Sequence, residues 1–191
     1  MIVLASSSPR RHLLLEMLGI DHEVIPADVP EIQEPGELPE TMALRLACDK
    51  AQAVAATRSD VPVLAADTLV VVDEDILGKP SDVRDAERML GRLSGRAHRV
   101  VTAVALTDTD GAVYERCDTT RVWFRDLTPE AIEAYVATGE PLDKAGSYGV
   151  QGYGAVLVER VEGDFFGVMG LPLRLVVELL EMAGHPYCFT R

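Results

Sequence analysis

Serines and arginines cluster between the first predicted strand and the first predicted helix. The apolar run Ile2–Ala5 predicts a buried strand, and Ser8 followed by Pro9 predicts an N-cap and the first helical residue. A helix N-terminus offers backbone N–H groups and a partial positive charge that suit a phosphate, and Arg10 and Arg11 could add charged donors. An ordinary capped helix with two solvent-facing arginines explains the same residues.

A carboxylate, Asp67, interrupts one of the most apolar stretches of the chain. Removing a carboxylate from water there is costly unless it binds a cation, accepts hydrogen bonds or takes up a proton. Asp67 is therefore the best candidate in the sequence for a general base or a metal ligand. The alternative is a turn aspartate that serves only the structure.

A glycine-rich segment runs from Gly139 to Gly154 and contains five glycines. Glycines allow the backbone to approach a ligand closely, and Asp143 and Lys144 would offer charge beside it. Many glycine-rich segments are plain turns, so this pattern alone does not establish a binding loop.

Alternating strands and helices must position these residues, and the alternation predicts an α/β fold with a mixed sheet. After the first strand and helix, hydrophobic patterning predicts strands at 22–27, 63–66, 69–72, 98–106, 112–124, 155–161 and 165–168. An amphipathic helix is predicted over 40–57, and three further helices are predicted to begin at Ser81, Thr128 and Gly170. A Pro- and Glu-rich connection, 26–39, precedes the 40–57 helix.

Composition limits the classes of protein to consider. The 191 residues are 48% hydrophobic and 26% charged, as in a soluble globular domain, and no apolar run approaches the ~20 residues of a membrane span. The net charge of −13 argues against a nucleic-acid-binding surface. No signal peptide is expected, and scattered Cys48, Cys117 and Cys188 predict reduced thiols in a cytoplasmic protein.

Four segments in order resemble signatures of the Maf family of nucleoside triphosphate pyrophosphatases. They are A-S-x-S-P-R-R at 5–11, A-D-T and G-K-P at 66–68 and 78–80, S-G-R-A-H with Thr102 at 94–98, and D-K-A-G-x-Y-G-x-Q-G at 143–152. The resemblance covers nearly the whole chain. It implies one domain, 1–191, with a Maf/ITPase-like fold: two lobes around a nucleotide cleft and a central mixed β-sheet flanked by helices.

The resemblance also implies roles for particular residues. Asp67 matches the catalytic aspartate, and a divalent cation, Mg²⁺ or Mn²⁺, would be held by Glu31 and Asp67. The substrate-binding positions are Ser6, Arg11, Lys50, Thr68, Lys79 and Gln151. Gln151 matches the position associated with choosing thymine or uracil, whose imide edge a carboxamide can pair with. His98 is expected to be a structural or surface residue.

The function implied is hydrolysis of dTTP and UTP, or modified pyrimidine nucleotides, to the monophosphate and pyrophosphate in a nucleotide-pool house-cleaning role. The protein would act as a cytoplasmic homodimer, without nucleic-acid or membrane partners. The alternative is a non-catalytic nucleotide-binding regulator of cell division or septum formation. A generic phosphatase is disfavoured, because the chain has neither a phosphate-loop cysteine nor a paired-aspartate nucleophile motif.

Overall fold

The computed structural model describes residues 1–189. The strands are β1 (Ile2–Leu4), β2 (His22–Val24), β3 (Val63–Val72), β4 (Asp75–Leu77), β5 (Ala97–Thr107), β6 (Val113–Phe124) and β7 (Val158–Glu162). The helices are α1 (Pro9–Met17), α2 (Pro39–Ala55), α3 (Val83–Leu93), α4 (Pro129–Val136), α5 (Phe165–Met169) and α6 (Leu173–Met182). No helix in this described part of the chain is long and apolar enough to cross a membrane.

The strands form one seven-stranded sheet in the order β2-β1-β3-β5-β6-β7, with β4 paired to β3. β1 lies parallel to β2, with Ile2 opposite His22, and parallel to β3, with Val3 opposite Val63. The β3–β4 and β6–β7 pairs are antiparallel. The predicted α/β fold with a central mixed sheet is confirmed.

The chain divides into two compact units. The first contains Met1–Asp67, Thr102–Asp118 and the C-terminal segment from Gly170 onward, and the second contains Thr68–Val101 and Thr119–Met169. In the first unit, all of β1 is buried, and the amphipathic helix α2 buries one face that includes Met42, Leu46, Ala47 and Val54. The second unit has its own core, which includes Val70, Leu77, Leu90, Leu93, Val122, Phe124, Tyr135, Tyr148 and Leu157.

The predicted interruption of the sheet at Asp67 is wrong. β3 continues through Asp67 and Thr68, and Asp67 is 4% exposed within it. The strand can include a buried carboxylate because the ammonium group of Lys50 lies against it.

The predicted final strand, 165–168, is also wrong, because these residues form α5. Asp164 explains the helix, since its side chain accepts the backbone N–H of Gly167 at 2.9 Å and its carbonyl accepts that of Val168. The residues before β7 form a 3₁₀ turn, Gly152–Leu157, instead of the start of a strand. At α3 the N-cap is Asp82 rather than Ser81, and its carboxylate accepts the Asp85 N–H.

Candidate active site

The turn between β1 and α1 is organised by Ser6. Its Oγ accepts the backbone N–H of Ser8 at 3.2 Å and the Nη1 of Arg11 at 3.1 Å. Ser8 occupies the N-cap position, as predicted, but its side chain makes no cap hydrogen bond. Because Ser6 is 7% exposed, its hydroxyl is a fixed acceptor for both groups.

Arg11 is held at both ends of its guanidinium group. Its Nη1 donates to Ser6, and its Nε donates to the carbonyl of Gly170 at 2.8 Å. Burial lowers the pKa of Arg11 below its ordinary value, while the negative charges of Asp67 and Glu31 oppose this shift. The guanidinium therefore lies within the electrostatic field of both carboxylates.

Lys50 bridges those two carboxylates. Its Nζ lies 2.5 Å from Glu31 Oε1 and 2.6 Å from Asp67 Oδ1. Lys50 lies on the buried face of α2, four residues after buried Leu46, and is itself 8% exposed. Lysines on helices usually reach solvent, so a lysine enclosed in this way indicates a specific electrostatic role.

Asp67 keeps one carboxylate oxygen without a partner. Oδ1 accepts from Lys50, but Oδ2 is buried and has no hydrogen-bond partner in the described part of the chain. Burial raises the pKa of Asp67 above its ordinary value, opposed by Lys50 and Arg11, and Glu31 raises it further. A carboxylate in this state can accept a proton from water or ligate a cation through Oδ2.

The sequence-predicted site residues fall into two sets. Ser6, Arg11, Glu31, Lys50 and Asp67 come together in the first unit, through the contacts just described. The other three belong to the second unit: Thr68 is half-buried on β3, Lys79 is exposed between β4 and α3, and Gln151 is half-buried just before the 3₁₀ turn.

The two carboxylates predicted to hold a divalent cation fit that role in their chemistry. Oxygen donors suit Mg²⁺ and Mn²⁺, and Mg²⁺ is commonly bound by one or two carboxylates together with water and substrate phosphates. The unpartnered Oδ2 of Asp67 is a donor that such an ion could use. No group of three or more His, Cys, Asp and Glu residues within 1–189 could hold a metal by protein ligands alone.

Sequence reasoning missed two contributors to these sites. The carbonyl of Gly170, which fixes Arg11, gives no signal in the sequence because any residue has a carbonyl. Glu140, whose carboxylate accepts backbone N–H groups of Tyr153 and Gly154, stands directly after Gly139, and nothing in the sequence distinguishes it from other acidic residues.

Comparison with known proteins decides the family. Residues 1–183 match the family described as Maf-like protein. This chain belongs to the Maf-like protein family. The family resemblance predicted from the four sequence segments is confirmed.

Relatives named dTTP/UTP pyrophosphatase match this chain nearly end to end. A protein of Syntrophomonas wolfei named dTTP/UTP pyrophosphatase is 49% identical over 182 residues, which covers 95% of this chain and 96% of that protein. One of Moorella thermoacetica with the same name is 51% identical over 187 residues, covering 96% and 95%. The Staphylococcus aureus Ham1 protein structure has a TM-score of 0.51 at 16% identity, covering 94% and 88% of the chains, and shares the fold alone.

Proposed function

We propose that this protein is a nucleoside triphosphate pyrophosphatase that hydrolyses dTTP and UTP to the monophosphate and pyrophosphate. Relatives about half identical over nearly the whole chain carry that name. The structural observation that carries the proposal is Asp67, a buried carboxylate with one unpartnered oxygen beside an ammonium and a guanidinium group. Modified pyrimidine nucleotides belong to the same proposed substrate class.

In this proposal the cationic residues hold the triphosphate. Arg11, Lys50 and Lys79 contact phosphate oxygens, and Ser6 and the N-terminus of α1 add hydrogen-bond donors. Arg11 is suited to this role because Ser6 and Gly170 fix its guanidinium before substrate arrives. Since phosphoryl transfer depends on positioning and charge stabilisation, a prearranged cation lowers the barrier more than a mobile one does.

Asp67 acts on the attacking water. Its unpartnered oxygen accepts a hydrogen bond from the water and orients it toward the α-phosphorus. The raised pKa of Asp67 makes it a stronger base than an exposed aspartate and lets it take up the proton that the water loses. Lys50, bound to the other oxygen, keeps the carboxyl group from rotating.

Glu31 and Asp67 are the residues that would hold a divalent cation, Mg²⁺ or Mn²⁺. When bound, the ion supplies charge neutralisation for the phosphates and lowers the pKa of a bound water. Lys50 then also limits repulsion between the two carboxylates, since its ammonium group lies between them.

Thr68 and Gln151 read the base in this proposal. Residues 1–191 form one catalytic domain, and the active species is a cytoplasmic homodimer. Sedimentation equilibrium of the purified protein tests the dimer directly.

The alternative, a regulator that binds nucleotide without cleaving it, is disfavoured by Asp67. A protein that only binds nucleotide gains nothing from an unpartnered carboxylate near anionic phosphates.

Pyrophosphate release tests the proposal. The purified protein with Mg²⁺ is assayed on dTTP, UTP, CTP, ATP, GTP and methylated nucleotides, with Asp67→Asn as the inactive reference. We expect cleavage of dTTP and UTP with little on purines. Activity mainly on methylguanosine triphosphate would overturn the base assignment. If no nucleotide in the panel releases pyrophosphate although nucleotide binding is intact, the proposed enzymatic activity is wrong.

A further inference from the structure

Two side chains, Tyr135 and Glu140, hold residues 149–154, the part of the glycine-rich segment that carries Gln151. Tyr135, near the end of α4, is 5% exposed, and its Oη accepts the backbone N–H of Gly149 at 3.2 Å. The same hydroxyl donates to Oε1 of Glu140 at 2.8 Å. One tyrosine hydroxyl thus connects Gly149 to the carboxylate of Glu140, which stands three residues before the D-K-A-G motif begins.

Glu140 binds the backbone that follows Gln151. Its Oε2 accepts the N–H of Tyr153 and its Oε1 that of Gly154, each at 2.9 Å. Partial burial raises the pKa of Glu140, but the N–H groups of Gly154 and Tyr153 outweigh it, so the pKa lies below its ordinary value. Glu140 is therefore an ionised acceptor, and Gln151 lies between backbone groups that are anchored two residues before it and two residues after it.

Two glycines of this segment, Gly152 and Gly154, lie close against the same two side chains. A Cβ at Gly152, whose φ is 72°, would lie 2.5 Å from Glu140 Oε2. A Cβ at Gly154 would collide with the carbonyl oxygen of Gly149 and would also lie 2.6 Å from Tyr135 Oη. The glycine pattern predicts a close approach of the backbone to a ligand, but at these two positions it allows a close approach to Glu140, to Tyr135 and to the backbone of Gly149.

Anchoring matters because a carboxamide does not choose a base by its chemistry alone. It can pair with the imide edge of uracil, and after a half-turn about its last torsion it offers the reversed donor and acceptor order that cytosine needs. Selection thus requires that the group be held in place, to within about 0.5 Å for a functional side chain. A glycine-rich backbone is costly to order at the moment of binding unless other contacts have already ordered it.

We propose that Glu140 and Tyr135 are positioning residues for base selection, which fix residues 149–154 so that Gln151 meets the base edge in one placement. Neither residue touches the nucleotide. The inference rests on the proposed function, since it assigns a cause to the base preference of the same enzyme.

The test compares Glu140→Gln and Tyr135→Phe with wild type. The Tyr153 and Gly154 N–H groups bind different oxygens of Glu140, and glutamine replaces one of these oxygens by an NH₂ donor, so one N–H group loses its acceptor. Phenylalanine removes the acceptor of the Gly149 N–H. The readout is kcat and KM on UTP and CTP. We expect the UTP-over-CTP ratio of kcat/KM to fall about 10-fold, mainly through KM for UTP, with kcat changing less than about 2-fold.

Two further measurements separate positioning from a general loss of structure. Glu133→Gln, an exposed change on the same helix α4, should leave the ratio unchanged. In a Gln151→Ala background, Glu140→Gln should change the ratio no further, because the group that it positions is gone. Hydrogen exchange should show faster exchange of the Gly149, Tyr153 and Gly154 amides in Glu140→Gln.

The outcomes are distinct. If wild type releases no pyrophosphate from any nucleotide, the proposed function is wrong and the inference falls with it. If wild type cleaves UTP while both variants keep its preference, or if Glu140→Gln still changes the ratio without Gln151, the proposed function stands and the positioning role is overturned. Should Glu140→Gln fail to fold, Tyr135→Phe carries the same comparison, since it breaks the Gly149 anchor.

Discussion

Lys50 and Asp67 form a buried ion pair in which Lys50 Nζ lies 2.6 Å from Asp67 Oδ1, while Asp67 Oδ2 is buried without a hydrogen-bond partner among residues 1–189. A buried polar atom left without a partner costs roughly 1–3 kcal/mol. The fold therefore holds one carboxylate oxygen in place and leaves the other ready for water or a cation. Such a destabilised group is typical of a site where function limits stability.

Replacing Asp67 by asparagine should separate its role in catalysis from its cost to the stability of the fold. We expect pyrophosphate release to fall by at least about 100-fold, since asparagine cannot accept a proton from water. Because the pKa of Asp67 is raised in the fold, its contribution favours folding at low pH and is lost as the pH rises through that pKa. The free energy of unfolding near neutral pH should therefore be unchanged or higher in Asp67→Asn, with Lys50 retained by Glu31.

Activity assays and urea unfolding of Asp67→Asn check both expectations. Asp49→Asn, an exposed change on α2, is the matched control and should keep full activity. An Asp67→Asn enzyme with wild-type turnover would remove Asp67 from the mechanism.

The local parts of this site could be predicted from the sequence. The apolar run before Ser6 and the Ser8–Pro9 pair indicated a strand followed by a helix, and both are present. Asp67 was predictable as a functional candidate because a carboxylate in an apolar stretch needs a physical reason. The order of these signals along the chain also identified the family.

The tertiary relationships could not be predicted from composition or periodicity. Lys50 reaches Glu31 across 19 residues and Asp67 across 17, and nothing in the spacing of a loop, a helix and a strand predicts that meeting. The helix α5 was missed because its two phenylalanines favour a strand locally, while the capping carboxylate of Asp164 favours a helix. Tertiary contacts therefore determine how the site residues meet, and the Asp164 cap determines that 165–169 form a helix, and neither follows from hydrophobic periodicity.

Ser6→Ala should weaken substrate binding through Arg11. The change removes the oxygen that accepts both Arg11 Nη1 and the Ser8 N–H, so the guanidinium loses this contact while it keeps the one to the Gly170 carbonyl. We expect KM for UTP to rise about 10-fold, equivalent to about 1.4 kcal/mol, with a smaller change in kcat. The free energy of unfolding should fall by about 1 kcal/mol.

Steady-state kinetics with Ser7→Ala as the control tests this expectation. Ser7 is exposed and adjacent, so its loss changes the same segment without touching Arg11. Equal KM values for Ser6→Ala and Ser7→Ala would show that fixing Arg11 is unimportant for binding.

Gln151→Ala should change substrate preference more than turnover. A contact to the base is equally strong in the bound substrate and in the transition state, because the reaction takes place at the phosphorus. Its removal therefore weakens the binding of both alike. We expect kcat/KM for UTP to fall about 10-fold through KM, with kcat within about 2-fold of wild type. Competition between UTP and CTP in one assay measures the preference directly, and Gln52→Ala, exposed on α2, is the control. A large loss of kcat with an unchanged preference would contradict the base-reading role.

His98 should make the stability of the protein depend on pH. The side chain is buried against Phe124 and Tyr148, with Nε2 2.7 Å from Tyr148 Oη, and Nδ1 has no hydrogen-bond partner within the described chain. Burial lowers the pKa of His98 from 6.5 to about 4. Between these two pKa values His98 is protonated in the unfolded chain and neutral in the folded one. The stability present above pH 6.5 is therefore lost as the pH falls toward 4.

Between about pH 7.5 and pH 5 this linkage is worth about 2 kcal/mol of unfolding free energy. His98→Phe, which keeps an aromatic ring beside Phe124, should lose that much less stability than wild type over the same interval. Urea unfolding at both pH values measures the difference, and the other three histidines cancel because both proteins contain them. If the unfolding free energies of the two proteins depend on pH identically, folding does not lower the pKa of His98, and the assignment of a neutral, desolvated His98 at pH 5 is wrong.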